Sequence, residues 1–299
     1  MLIVNDIFKS YQNVQAVHDL SFQVPKGSIF GLLGPNGAGK TTFLRILNGI
    51  YQADQGSITW NDTALSTEWI ANHVGYLPEE RGLYPKMKVR ETLRYFARIR
   101  GVTDVKQLDA KIHQALTDFD ILEKESTAVE KLSKGMQQKI QIIATLLHDP
   151  DLIILDEPFT GLDPVNTRLL KDMIRDLAQQ GKTIILSTHR MEQVEALCDT
   201  ITLIHQGSNV LSGSVSDIKL SYRTNTYYLK TTNSVPSSVP GDIIQRSDNE
   251  ITFKLGEGQA IEGFLQSVIS AHDVIEFKEI FPSLEDIFVQ KVTTEHHAE

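Results

Sequence analysis

Gly34-Pro35-Asn36-Gly37-Ala38-Gly39-Lys40-Thr41 sets glycines, a lysine and a hydroxyl in the order G-x-x-x-x-G-K-[ST]. With no side chains at the glycines, successive backbone N–H groups can converge on phosphate oxygens. Lys40 would then neutralise the β- and γ-phosphates of a nucleotide, and the Thr41 hydroxyl would ligate Mg²⁺. The stretch follows the apolar run SIFGLL (28–33) and opens TTFLRILNGI (41–50), whose apolar spacing is helical. A helix beginning near Lys40 adds the positive end of its dipole to the same place. The plain alternative is a glycine-rich turn with no ligand. A strand in front and a helix behind favour the phosphate loop.

Two further strand ends carry chemistry. LIILDEPF (152–159) is an apolar strand that closes on adjacent carboxylates. Asp156 would hold Mg²⁺ through water, as strand-end aspartates do in phosphate-loop NTPases. Glu157 would orient and deprotonate the attacking water, a role that typically contributes about 10²–10⁴-fold. TIILSTH (183–189) ends in the same manner, and His189 would reach the γ-phosphate and the water. Alone, each is an ordinary polar strand terminus. Behind a phosphate loop the catalytic reading takes over.

The elements that must position these groups follow from patterning. LIVNDIF (2–8), AVHDLSFQV (16–24) and GSITWND (56–62) read as strands. From about Val89 to Leu147 the pattern turns helical, and strand runs return at 152–156, 183–187 and 200–205. MIRDLAQQG (173–181) reads as a helix closed by Gly181. The buried, non-alternating apolar strands suit a mainly parallel sheet in an α/β core with a helical insertion at about 85–150. Composition shifts near Gly213, and TTNSVPSSVPG (231–241) reads as a loop. Around it lie expected strands at 227–230, 242–245, 251–255 and 274–280, with helices at about 258–271 and 283–292. Two domains are expected: an ATPase core over 1–212 and a small α+β domain over 213–299.

Bulk properties narrow the classes. At 299 residues, 41% hydrophobic and 22% charged, the chain is an ordinary globular protein with room for two cores. Cys198 is the only cysteine, which excludes an intramolecular disulfide framework and fits a reducing cytosol. The N-terminus lacks a signal-peptide pattern. The apolar runs LIIL and TIIL fall far short of the roughly 20 residues that cross a bilayer. A net charge of −9 with no basic block leans against nucleic acid as a partner.

In order and spacing, GPNGAGKTT, LSKGMQQK (132–139), LIILDEP, TGLDP (160–164) and STH resemble the motifs of ABC-transporter nucleotide-binding domains over about residues 2–212. The resemblance implies a phosphate-loop NTPase fold, with Gly34, Pro35, Asn36, Gly37, Ala38, Gly39, Lys40, Thr41 and Thr42 on ATP. It implies that Ser133 and Gly135 form a signature loop that contacts ATP bound to a second copy, and that Asp163 stands at the dimer seam. Tyr11 corresponds to the aromatic that stacks on adenine; unaided, it would be a half-exposed turn aromatic. Two departures stand out. Lys134 and Met136 replace the third and fifth residues of the usual LSGGQ. Glu79, in GYLPE (75–79), replaces a glutamine that senses Mg²⁺, although a carboxylate can still ligate the ion.

By the same likeness, the helical insertion carries a groove near 79–92 that accepts a short cytoplasmic helix of a multi-span permease. The bland reading of that stretch is a solvated loop. GYLPEERGLYPKM (75–87) and FPSLEDIFVQKV (281–292) also look like a narrower bacterial group, the ATP-binding subunits of sodium-extrusion and drug- or antibiotic-exporting systems. The expectation is therefore an ATPase subunit, peripheral on the cytoplasmic face of a membrane, that pairs with a like subunit and uses ATP and Mg²⁺. An ABC ATPase acting on nucleic acid or ribosomes is disfavoured by the single cassette and the lack of inserted coiled coils or zinc fingers. A catalytically dead module is disfavoured by intact Lys40, Asp156, Glu157 and His189. His296 and His297, near the C-terminus, make a poor metal site.

Overall fold

The structure is a computed structural model that describes residues 1–12, 14–80, 82–256 and 258–296. Arg81, in the expected groove, and His297 lie outside the described residues. The chain divides into two compact units, Met1–Val215 and Ser216–Glu299.

The first unit begins with β1 (Leu2–Tyr11), β2 (Val14–Val24), β3 (Ile29–Leu33), α1 (Lys40–Leu47), β4 (Gln55–Trp60) and β5 (Thr63–Ala64). It continues with α2 (Thr67–His73), β6 (Val74–Leu77), α3 (Val89–Ile99), α4 (Val105–Asp118) and α5 (Lys134–Leu146). β7 (Leu152–Asp156), α6 (Pro164–Gln179), β8 (Thr183–Thr188), α7 (Met191–Glu195), β9 (Thr200–His205) and β10 (Ser208–Ser214) complete it, and α8 (Val215–Ser221) starts at its boundary.

Two sheets share this unit. The larger has the order β10-β9-β3-β8-β7-β6. Its strands β9, β3, β8, β7 and β6 are parallel, and only the edge strand β10 runs antiparallel. Every residue of β3, β7 and β8 is buried, which is why these strands read as unbroken apolar runs. Because they are parallel and in register, their C-terminal ends emerge side by side: Leu33 opposes Thr188, and Asp156 opposes Ser187. Ligands of such sheets bind beyond those ends. The expectation of a mainly parallel sheet misses one feature. β1, β2, β4 and β5 form a separate antiparallel sheet in the order β2-β1-β4-β5.

The helical insertion has its own core. Leu108, Ile112 and Leu116 recur at four-residue spacing on α4 and pack with Val89, Leu93 and Ala97 of α3 and Ile140 and Ile143 of α5. Asp104 caps α4 by accepting from Gln107 N–H at 3.0 Å.

The second unit contains β11 (Thr226–Thr231), β12 (Gly241–Arg246), β13 (Glu250–Leu255), α9 (Ile261–Ala271), β14 (Val274–Ile280) and α10 (Leu284–His296). Its antiparallel sheet runs β12-β13-β11-β14. Along β11 the residues Tyr227, Leu229 and Thr231 are buried while their neighbours are half-exposed, the period of two that a one-sided sheet requires. Tyr227 stacks on Phe277 at 5.6 Å and on Phe253 at 5.9 Å inside this core.

Candidate functional site

A cavity of about 520 Å³ opens where β3, β7 and β8 end. Asn36, Gly37, Ala38, Gly39, Lys40, Thr41 and Thr42 form one side of it, with Glu79, Asp156 and Glu157 opposite. Two of the loop's glycines, Gly34 and Gly39, leave no room for a side chain. At Gly34, φ is +152° and an added Cβ would stand 2.2 Å from the Ile204 carbonyl oxygen. At Gly39, φ is +106° and the Cβ would stand 2.4 Å from Ala16 O.

Lys40 is 6% exposed. Its Nζ donates to Gly34 O at 2.7 Å and to Pro35 O at 3.1 Å, so the ammonium spans its own loop. Burial lowers its pKa, and the carboxylates of Glu157, Asp156 and Glu79 oppose that shift. Asp156 is 2% exposed, and burial raises its pKa; Glu79 and Glu157 add to the rise. Thr41 Oγ1 lies 3.5 Å from Asp156 Oδ2. Tyr76, on β6, is pushed up to about 12 by burial and by the nearby charge of Asp156.

Glu157 is held from three sides. Its Oε1 accepts from the His189 backbone N–H at 2.9 Å and from the His189 ring at 2.7 Å, and its Oε2 accepts from Thr188 Oγ1 at 3.1 Å. A carboxylate can only accept, so Nδ1 of His189 carries the proton. The backbone of Glu157 sits at φ +49°, a left-handed conformation uncommon for a side-chain-bearing residue. Its N–H donates to Ser187 O at 2.9 Å, and its carbonyl accepts from Thr160 N–H at 3.2 Å. Strain of this kind concentrates at functional sites.

The remaining expected residues lie away from the cavity lining. Ser133 caps α5, its Oγ accepting from Met136 N–H at 3.3 Å, with Gly135 in the first turn. Asp163 caps α6, its Oδ1 accepting from Asn166 N–H at 2.9 Å; hydrogen bonds from Asn166 hold its carboxyl below the usual range. Tyr11 packs edge-on against Tyr51 at 5.7 Å, with the Lys9 ammonium over its ring. A single chain thus assembles Lys40, Thr41, Glu79, Asp156, Glu157 and His189, but not Ser133, Gly135 or Asp163.

Sequence reasoning missed Val14, Gln15, Ala16, Gln206 and Gly207, which also line the cavity. Gln206 and Gly207 form the β9–β10 turn with φ of +48° and +82°. Gly207 N–H donates to Ala38 O at 2.9 Å, and its own carbonyl accepts from His18 N–H at 2.8 Å. The Gln-Gly pair between two apolar runs was the available turn signal.

A second, smaller hollow of about 220 Å³ lies in the helical insertion. Of the expected groove at 79–92, Gly82 and Leu83 line it; the rest of its wall comes from Tyr76, Pro78, Phe96, Ile99, Arg100 and the α5 side with Gln141 and His148. This hollow lies between α3 and α5, and only its Gly82 and Leu83 belong to the stretch 79–92. Tyr84, Tyr95 and Ile99 nearby are exposed. Tyr84 meets Tyr95 edge-on at 5.3 Å.

Residues 17–160 match the family model described as ABC transporter, and residues 213–292 match the C-terminal domain of the DrrA1-3-like ATP-binding proteins. The chain is 38% identical to YhaQ, an uncharacterized ABC transporter ATP-binding protein of Bacillus subtilis (strain 168), over 98% of both chains. It is 39% identical to the Nod factor export ATP-binding protein I of Bradyrhizobium diazoefficiens, over 69% of this chain and 67% of that one. A solved ATP-binding subunit of an ABC transporter superposes with a TM-score of 0.69 at 31% identity, over 74% of this chain and 93% of that one. Among the described residues no helix is long and apolar enough to cross a membrane. The chain belongs to the ABC transporter ATP-binding proteins, and its reaction is the hydrolysis of ATP.

Proposed function

We propose that this ATPase drives a separate multi-span membrane subunit as an exporter, closing with a like subunit around two ATP molecules. The observation that carries the reading is the divided site. The phosphate cradle, Asp156 and Glu157 share one cavity, while Ser133, Gly135 and Asp163 sit on helix starts that do not line it. A helix start is a natural anion site, so α5 of a second copy, with Ser133 and Gly135, is suited to cover the γ-phosphate. Export as the direction is supported by the name of the Nod factor relative.

In this reading Lys40 leaves the carbonyls of Gly34 and Pro35 to neutralise the β- and γ-phosphates. The backbone N–H groups of Gly37 to Thr42 orient those phosphates, and Tyr11 lies against the adenine. Glu157 takes the proton from the attacking water. His189, fixed by its Nδ1–H bond to Glu157, holds that carboxylate in place and presents Nε2 toward the phosphate. Closure excludes water and strengthens each of these contacts.

Mg²⁺ fits the oxygen donors present, namely the Thr41 hydroxyl, Asp156 and Glu79. The described residues contain no cluster of three His, Cys, Asp or Glu suited to a metal. That suits an ion that takes most of its ligands from phosphate and water. When bound, it would neutralise phosphate charge. Motion would leave through the groove between α3 and α5. Tyr76 touches both places, lining the groove and lying beside Asp156.

The test combines two substitutions. With Glu157→Gln, ATP should convert the chain to a stable dimer in light scattering, while turnover falls about 10²-fold or more. Adding Ser133→Arg should dissolve that dimer without weakening ATP binding to the monomer. A Glu157→Gln chain that stays monomeric at saturating ATP would overturn the shared site. Co-purification of the chain with a multi-span membrane protein from its native cells tests the partner, and the absence of any such protein from wild-type preparations would overturn that half.

A further inference from the structure

Helix α6 carries more apolar surface than the sheet beneath it uses. It packs on β8 and β3, and Leu170 and Ile174 form its buried stripe. A second stripe, Leu169, Met173 and Leu177, recurs at four-residue spacing on a neighbouring face, and Leu169 is 52% exposed. On the other wall α5 brings Ile142 and Leu146, also four apart. Between them lies a cavity of about 480 Å³, within the range of about 300–1,000 Å³ that small-molecule sites occupy.

The rim of this cavity is acidic. Asp118, Asp172 and Asp176 stand in its wall against one ammonium, that of Lys139. Lys139 Nζ donates to Phe119 O at 2.8 Å, which ties it to the end of α4. Asp172 has a cation of its own, Arg175 at 3.0 Å. Asp118 accepts from the neutral amide of Gln114 at 2.7 Å, and among the described residues no cation pairs with it or with Asp176. Leucines inside and carboxylates at the mouth suit a ligand with an apolar body and one positive charge. The body leaves water for the leucines, and the charge stays at the wet rim.

The cavity also touches a group expected at the seam between subunits. Leu162 and Asn166 both line it. Leu162 directly precedes Asp163, and Asn166 donates to the Asp163 carboxyl through its backbone N–H at 2.9 Å and through Nδ2 at 2.5 Å. The two helices that wall the cavity are capped by Ser133 and Asp163. A body wedged between them fixes the separation of those two helix starts.

We propose that this cavity binds an organic cation with an apolar body, and that its occupation slows turnover by fixing Ser133 relative to Asp163. The effect on turnover rests on the shared site argued above; the binding does not. The bland alternative is a water-filled crevice between helical layers, whose carboxylates only face solvent.

The probe is tetraphenylphosphonium, with tetraphenylborate as a control of nearly the same shape and opposite charge. Titration calorimetry on the full chain should show saturable binding of the cation, with the borate weaker by about tenfold or more. Leu169→Trp fills the mouth and should abolish that binding, and Asp176→Lys should weaken it by about tenfold. Both residues lie outside the catalytic cavity, so turnover without the probe should stay within about twofold of wild type. Saturating tetraphenylphosphonium should lower wild-type turnover at saturating ATP by about fivefold and leave Leu169→Trp unaffected. No saturable binding, equal binding of the borate, or undiminished binding to both variants would overturn the site. Binding that leaves turnover unchanged would overturn the coupling to the helix starts. If light scattering without ATP shows that Leu169→Trp alters the oligomeric state, the stripe is a contact between copies and the ligand site falls. If Glu157→Gln stays monomeric with ATP while the cation still binds, the shared site falls and the ligand site stands.

Discussion

The two units of this chain treat charge in opposite ways. In the first, the phosphate cavity buries Lys40, Asp156 and Glu157, and its loop holds Gly34 and Gly39 where no methyl group fits. In the second, charges meet on surfaces: Lys230 pairs with Glu250 at 2.6 Å, Lys278 with Glu276 at 2.7 Å, and Arg223 with Glu279. Its buried groups are aromatic and aliphatic, and Thr231 is the only polar residue among those fully buried in the described part. Buried charge persists where something is gained from it, and here that is phosphate chemistry.

Substitutions that should separate the units most come first. Gly34→Ala forces a Cβ into the Ile204 carbonyl and should cost roughly 3–5 kcal/mol, the range of severe single-site lesions. Thermal unfolding of the first unit should fall by about 10 °C, and nucleotide binding should be lost. An alanine variant that melts like wild type would break the claim that this loop is over-constrained.

A smaller effect of opposite sign is expected at Asp156. Its pKa is raised in the folded chain, so the folded state binds more protons than the unfolded state between the two values. Stability therefore falls as pH rises from the unfolded value through the raised one, and the ionised carboxylate is a burden at neutral pH. Asp156→Asn should raise stability by about 1 kcal/mol at pH 7 while turnover falls steeply. Calorimetry across acid to neutral pH should show the gain shrinking toward low pH. A variant that is less stable at every pH would sink the idea.

The smallest effect belongs to the second unit. Lys230→Ala removes an exposed ion pair, and such pairs contribute little to stability. ATP hydrolysis by the isolated chain should be unchanged. A turnover loss beyond about twofold would mean that the second unit reaches the reaction after all.

Much of this was legible in the sequence because it is local. β3, β7 and β8 announce themselves as short apolar runs, and the groups at their ends follow directly from strand-end chemistry. Where the sequence failed, the information was tertiary or faint. β10 (SNVLSGS) is an edge strand with no fully buried residue, so no alternation marks it. β6 (VGYL) was read only as part of a motif, although it is the last strand of the main sheet. α6 was expected from 173, but Asp163 and Pro164 start it at 164; that cap and first-turn proline were visible and not used. Val14, Gln15, Ala16, Gln206 and Gly207 reach the cavity only because two sheets meet there, and no single stretch records that meeting.

That meeting has a mechanical consequence. Gly207 gives its N–H to the phosphate loop and its carbonyl to the strand that carries His18, so one residue is latched to the main sheet's loop and to the antiparallel sheet at once. A nucleotide that tightens the loop must also stiffen this seam. Protection from proteolysis or amide exchange on binding should therefore spread across both sheets and the β9–β10 hairpin as one body, instead of fading within a few residues of the phosphates.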